Sequence, residues 1–141
     1  MKLTTTFRRL RAAGACPGRY EFLRRALPRE KYGDVDPIDL LTILETNGLD
    51  DALWAMGATA ENCDTIARLM AADFAEEVLP IWRKFAPEDR RPELAIAAAR
   101  DFAHGRINSA QLDAAGDAAW EKQKEILVSY LQPEKEAVAH D

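Results

Sequence analysis

The sequence predicts an all-α protein, a compact bundle of about six or seven helices with one kinked near Pro80, on three observations. Ala and Leu are abundant while Val is scarce, a balance that favours helices over strands. No segment alternates apolar and polar residues with period two, so no strand is expected. Between Ala60 and Phe85 the apolar residues Ile66, Leu69, Met70, Phe74, Val78, Ile81, Trp82 and Phe85 recur at intervals of three and four, which sets them along one side of a helix.

The first helix is expected over Phe7 to Ala13, with Thr5 or Thr6 as its N-cap and Gly14 as its stop. Pro17 opens a second, because its fixed φ suits a first helical turn. Tyr20, Leu23 and Leu27 then face inward, Arg24 and Arg25 outward, and the helix ends before Pro28. Both helices are short and need partners to persist. Asp36-Pro37 reads as a cap and first-turn proline for a third helix, with Ile38, Leu41 and Leu44 inward and Asn47-Gly48 at its end. Asp50 or Asp51 caps a brief helix carrying Leu53, Trp54 and Met56, stopped by Gly57. Thr59 opens the long helix. Pro80 within it removes a backbone hydrogen bond and crowds the preceding turn, at about 3 kcal/mol unless the helix bends, so a kink is expected near Glu76 to Leu79.

Pro87 to Gly105 reads as a turn and an Ala-rich helix with Pro92 in its first turn and Leu94, Ala98 and Phe102 inward. Ser109 caps a final helix to about Leu131, with Leu112, Ala115, Ala119 and Ile126 or Leu127 inward, and Pro133 to Asp141 form a charged, frayed tail. The expected organisation is a basic N-terminal helical module over 1–58, an Ala-rich bundle over 59–132 and the tail over 133–141, together one compact unit.

Charge is unevenly spread. The first 31 residues hold nine Lys/Arg against Glu21 and Glu30, a local net of +7, so the remainder carries −12 to reach the overall −5. The two halves therefore neutralise each other in the fold, or each sign meets a different partner. Cys16 and Cys63 stand far apart and outside any C-x-x-C or Cys/His cluster, which argues against a zinc site or a disulfide framework and fits a reducing cytoplasm. The N-terminus shows no apolar signal core, and no stretch approaches the roughly 18 to 20 apolar residues of a membrane span.

Asp113, Asp117, Glu121 and Glu125 fall at strict four-residue spacing along the last helix. Like charges so spaced repel by a few tenths of a kcal/mol each, roughly 1 kcal/mol over three pairs. That is small enough for a solvated face relieved by Lys122 and Lys124, and equally for a surface that meets a basic partner. Arg90 and Arg91, in Asp89-Arg-Arg-Pro-Glu93, belong either to the architecture of the turn or to a contact loop. Trp82 continues the apolar stripe and is expected in the core, whereas Trp120 has polar neighbours and is a candidate anchor for a partner. Arg8, Arg9, Arg11, Arg24 and Arg25 could meet phosphates or an acidic partner. The second helix lacks the Asn, Gln, Ser or Thr cluster that reads base edges, which disfavours direct nucleic-acid contact. His104, beside the helix-ending Gly105, is explained by capping, and His140 lies in the tail. No catalytic residue, cofactor or metal site is assigned.

The stretch Ala75-Glu-Glu-Val-Leu-Pro80-Ile-Trp-Arg-Lys-Phe85, followed by Pro87-Glu-Asp-Arg-Arg-Pro92 and Ala95-Ile-Ala-Ala-Ala-Arg100-Asp-Phe-Ala-His-Gly105, resembles a bacterial toxin-immunity-like family of small helical proteins. Glu93 departs from that pattern, where a second basic residue is expected after the Arg-Pro pair. The N-terminal stretch, with Ala15-Cys16, Phe22, Asp39-Leu40 and Asn47-Gly-Leu-Asp-Asp-Ala-Leu-Trp54, is similar to a module of uncharacterised phage-encoded proteins. The resemblances imply a non-enzymatic cytoplasmic inhibitor from a phage or mobile element that binds and blocks a host defence effector, as anti-CRISPR proteins do. They also admit an immunity protein that neutralises a cognate toxin, and the basic N-terminus leaves a small DNA-binding regulator as a third possibility. The implied partner is a protein, either a nucleic-acid-binding effector or a toxin, met by a monomer or homodimer away from any membrane.

Overall fold

The computed structural model describes residues 2–131, with the side chains of 122, 123, 125, 126 and 129–131 left out. The expected tail with His140, and the side chains of Glu125 and Ile126, lie outside the described residues. The fold is all-helical. Seven helices follow in order, α1 (Phe7–Ala12), α2 (Pro17–Ala26), α3 (Leu40–Asn47), α4 (Leu49–Ala55), α5 (Asp64–Phe85), α6 (Arg91–Ala103) and α7 (Ser109–Leu131), and α4 runs directly into a tight 3-10 turn at Met56–Ala58. Contrary to expectation, two residue pairs form an antiparallel ladder, β1 (Thr4–Thr5) against β2 (Ile38–Asp39). The chain divides into two units, Met1–Ala67 and Arg68–Asp141.

The first unit closes around Phe7. Thr6 has extended backbone and its hydroxyl accepts the Arg9 N–H at 3.1 Å, which starts α1. Gly14, at φ +82°, releases the chain from the helix. Phe7 and Leu10 from α1 pack with Leu23, Leu27, Ile38 and Ile43, and Tyr20 meets the Phe7 ring edge-on at 5.4 Å. The segment before α1 is stitched in place by β2 on one side and, on the other, by the Thr5 hydroxyl donating to the Ala58 carbonyl at 2.6 Å and the Thr4 N–H donating to Glu61 at 2.7 Å. Such a pairing of two residues has no sequence period to announce it. Chain closure, not propensity, creates it.

This closure moves the start of α3. Asp36 accepts the Gly33 N–H at 2.7 Å instead of capping a helix, and Asp39 caps α3 by accepting the Leu41 N–H at 3.2 Å. Because Ile38 is committed to β2, the buried position of α3 is Ile43, and the expected inward residues Leu41 and Leu44 are exposed. Asn47-Gly48 does end the helix, with Gly48 at φ +92°. In α4 the cap is Gly48, and Asp50 and Asp51 lie in the first turn, where their charge suits the helix N-terminus. The buried face of α4 and its 3-10 turn is Ala52, Ala55 and Ala58, which leaves Trp54 exposed. Thr59 caps nothing. α5 begins at Asp64, whose N–H is accepted by Asn62 at 2.8 Å.

In the second unit α5 is continuous from Asp64 to Phe85 with Pro80 inside it. Glu76, whose carbonyl loses its helical donor at Pro80, is exposed, so water can replace the missing N–H. The core consists of Ala72 and Leu79 from α5 and Ile96 from α6, with Ala75 and Ala99 alongside. Ile66, Leu69, Met70 and Trp82 of the apolar stripe are half-buried, but the rest of it is not the packed face. Phe74, Val78, Ile81 and Phe85 are 50%, 56%, 59% and 66% exposed, and Leu94 of α6 is exposed where Ile96 is buried. The reason is size. An Ala-rich α6 offers little volume to receive large side chains, and the small residues of α5 approach it instead. Trp82 is half-buried, its indole N–H enclosed without an acceptor.

α6 starts with Pro92 in its first turn and with the Arg91 N–H donating to Asp89 at 3.1 Å. It gives way to Gly105 at φ +71°. The cap of α7 is Asn108, not Ser109: its side chain accepts the Gln111 N–H at 2.9 Å while Gln111 accepts the Asn108 N–H at 3.0 Å. This reciprocal pair is a capping box built from Asn and Gln. Ala119 is buried and Leu112 and Ala115 half-buried, whereas Leu127 is exposed.

Candidate partner-binding surface

α7 turns Leu112, Ala115 and Ala119 inward, so its period of 3.6 residues carries Asp113, Asp117 and Glu121 to the opposite side. All three are exposed, and no described residue forms an ion pair with them. Trp120 shares that side and is 66% exposed, with Leu127 and Val128 exposed one to two turns further on. The surface is thus a row of exposed carboxylates beside a large aromatic and two aliphatic side chains. A partner that covers it needs positive charge opposite the row and an apolar recess for the indole.

The arginines are deployed differently. Arg91 bonds Asp89 at 2.9 Å through its guanidinium, and Arg90 lies 3.7 Å from Glu93. Both tie down the entry to α6, although the Arg90 side chain stays largely exposed. Arg8 and Arg11 converge on Asp34, at 3.5 and 2.5 Å. Arg9 donates to the Thr59 carbonyl at 3.1 Å. Arg24 lies over the Phe7 ring at 4.3 Å and donates to the Tyr32 carbonyl at 2.5 Å. Arg25 is 4.0 Å from Glu21 on its own helix. The basic N-terminal segment is in large part consumed in binding its own unit together.

A set of contacts went unforeseen in the sequence. Arg100 donates to both oxygens of Glu76, at 3.2 and 2.7 Å, and to Asp73 at 2.7 Å. Arg83 makes two bonds of 3.1 Å to one oxygen of Glu93. Glu93, the departure from the family pattern, thereby joins α6 to α5 as Arg100 does. The four-residue step from Asp73 to Glu77 and the neighbouring Glu76 are visible in the chain, but the partner 24 residues away is not.

These pairs predict an acid response. Glu76 is held below the ordinary 4.5 by the hydrogen bonds from Arg100, and Glu93 is lowered first by its own backbone N–H and then by Arg83. A carboxyl lowered on folding contributes stability that is complete above its unfolded value and lost as pH falls through the folded value. Arg100→Gln is therefore expected to melt earlier than wild type at pH 7, with the gap narrowing as pH falls below 4.5. Circular-dichroism melts at neutral and at acid pH check this, and a gap of constant size would refute it.

Among the described residues no group of three or more His, Cys, Asp and Glu could hold a metal ion, and no helix is long and apolar enough to cross a membrane. His104 lies with Nδ1 2.7 Å from the Arg100 carbonyl at the end of α6. In the first unit Leu10, Leu23, Ile43 and Trp54 line a cavity of about 260 Å³ rimmed by Arg19 and Asp50. Cys16, Asn47 and Asp51 also line it.

An all-helical fold with an outward charged and aromatic face defines a class, the helical protein–protein interaction module. Residues 60–132 match the family described as Imm-5 like putative immunity protein, just over half of the chain, and the protein belongs to that family. The matched region takes in α5, α6 and α7, and the basic first unit up to residue 59 lies outside it. No curated protein and no solved structure matches the chain.

Proposed function

We propose that the protein neutralises a cognate bacterial toxin in the cytoplasm by stoichiometric binding, with the outer face of α7 as the contact. The observation that carries this is the coincidence of the family match with the exposed row Asp113, Asp117 and Glu121 beside exposed Trp120. Carboxylates held on a helix present a basic groove with charge resembling that of phosphates, so the occupied toxin loses access to its substrate. Glu125 extends the same row in sequence. The phage or mobile-element origin rests on the N-terminal resemblance alone, and an anti-CRISPR role on the same acidic row, so the family match favours the toxin.

Co-expression with toxin domains that have a basic substrate groove tests the proposal. The wild type is expected to restore growth, and Asp113→Lys/Asp117→Lys/Glu121→Lys to fail while accumulating and folding normally. A triple variant that protects as well as the wild type would sink the acidic face as the contact. The regulator alternative predicts salt-sensitive duplex binding that the triple variant leaves intact and that Arg8→Ala weakens.

A further inference from the structure

Phe74, Val78, Ile81 and Phe85 form an apolar row on α5, each at least half exposed, and its spacing of four, three and four reads the same in both directions along the helix. We infer that this row is the contact through which two copies of the chain associate as an antiparallel, two-fold symmetric helix pair. A two-fold axis between Leu79 and Pro80 turns Phe74 onto the partner's Phe85 and Val78 onto the partner's Ile81. A palindromic row is what a self-complementary contact requires, since each patch must receive its own copy.

Charge supports the same occupant. In an antiparallel pair, residues on the same edge of the two helices face each other, and Glu77 and Lys84 share one edge of the row. The same axis brings Glu77 to within about 3 Å, measured along the helix, of the partner's Lys84. Both side chains are exposed and neither is in an ion pair with a described residue. Two symmetric pairs of opposite sign therefore flank the apolar row, a pairing that same-edge contact in an antiparallel pair allows. Pro80 lies on the far side of the helix from the row, so it does not obstruct the approach.

Area sets the strength. Two half-exposed or more exposed phenylalanines with Val78 and Ile81 offer roughly 400 to 500 Å² of apolar surface per copy. A standard interface takes about 800 Å² per partner, so the dimer should be weak, with a dissociation constant on the order of 10 to 100 μM. The contact leaves the outer face of α7 untouched in its own helix and concerns a separate element.

Sedimentation velocity on the full chain from about 5 to about 500 μM tests this. The wild type is expected to pass from monomer to dimer across that range. Ile81→Glu, at an exposed position, should remain monomeric with an unchanged melting curve. Glu77→Lys and Lys84→Glu alone should each weaken association roughly fivefold, and the double exchange should restore it to within about twofold of wild type. A wild type that stays monomeric throughout, association that survives Ile81→Glu, or a double exchange no better than the single ones would each overturn the inference.

Discussion

Phe7→Ala is expected to lower the stability of the first unit by about 3 to 5 kcal/mol, the cost of emptying a fully buried aromatic site. Phe7 is 0% exposed, abuts Tyr20 edge-on, and carries the Arg24 guanidinium on its face. Ala therefore leaves a void and also removes the ring over which Arg24 is seated. A loss of this size is a large share of the 5 to 15 kcal/mol typical of a folded domain. Phe85→Ala is the matched control. At 66% exposure it should change stability by less than about 1 kcal/mol at concentrations too low for self-association. Hydrogen exchange of the α1 to α4 amides, with urea unfolding alongside, separates the two. Equal losses from both substitutions would mean that the stripe on α5 is packed after all.

If α7 binds a toxin as proposed, Trp120→Ala is expected to weaken that binding by about 2 to 4 kcal/mol, roughly 30- to 1,000-fold, while leaving the fold intact. Buried aromatic anchors carry losses of this size when truncated at an interface, and the exposure of Trp120 in the free protein means that no core contact is forfeited. The loss should appear in the dissociation rate. Asp117→Asn should instead act on the association rate and flatten its salt dependence, because a rim carboxylate steers encounter more than it holds the complex. Stopped-flow association and surface-plasmon dissociation with the toxin domain suppressed in the growth assay would measure both. A Trp120→Ala variant that dissociates like the wild type would remove α7 from the contact.

Much of the local structure was legible. Thr6, Gly14, Pro17, Gly48, Pro92 and Gly105 each mark a helix boundary by a property of one residue, a hydroxyl acceptor, a tolerated positive φ or a pre-set φ, and such properties act within a single turn. The boundaries that were misplaced have longer causes. Asp36 was available as a cap but is drawn into the loop at Gly33, because the pairing of Thr4–Thr5 with Ile38–Asp39 reserves the residues a helix would have used. At α7 an Asn-x-x-Gln pair does the work assigned to Ser109, a capping box visible in the chain but in competition with the serine hydroxyl, an equally suitable acceptor one residue on.

The acidic row needed only arithmetic to find, since residues four apart share a side of any helix. Its exposure did not follow from spacing. Helicity, the approximate number of helices, most of their ends, the charge split and the existence of an apolar stripe on α5 are consequences of local chemistry and period, and the chain determines them unaided. Which side of α5 is packed, which arginine meets which carboxylate, and the two-residue ladder belong to tertiary structure alone. A period states that an apolar side exists but not what volume lies opposite it, and the alanines of α6 accept Ala72 and Leu79 while excluding Phe74 and Phe85. Contacts such as Arg100 with Glu76 depend on segments meeting across 24 residues, and no local rule reaches that far.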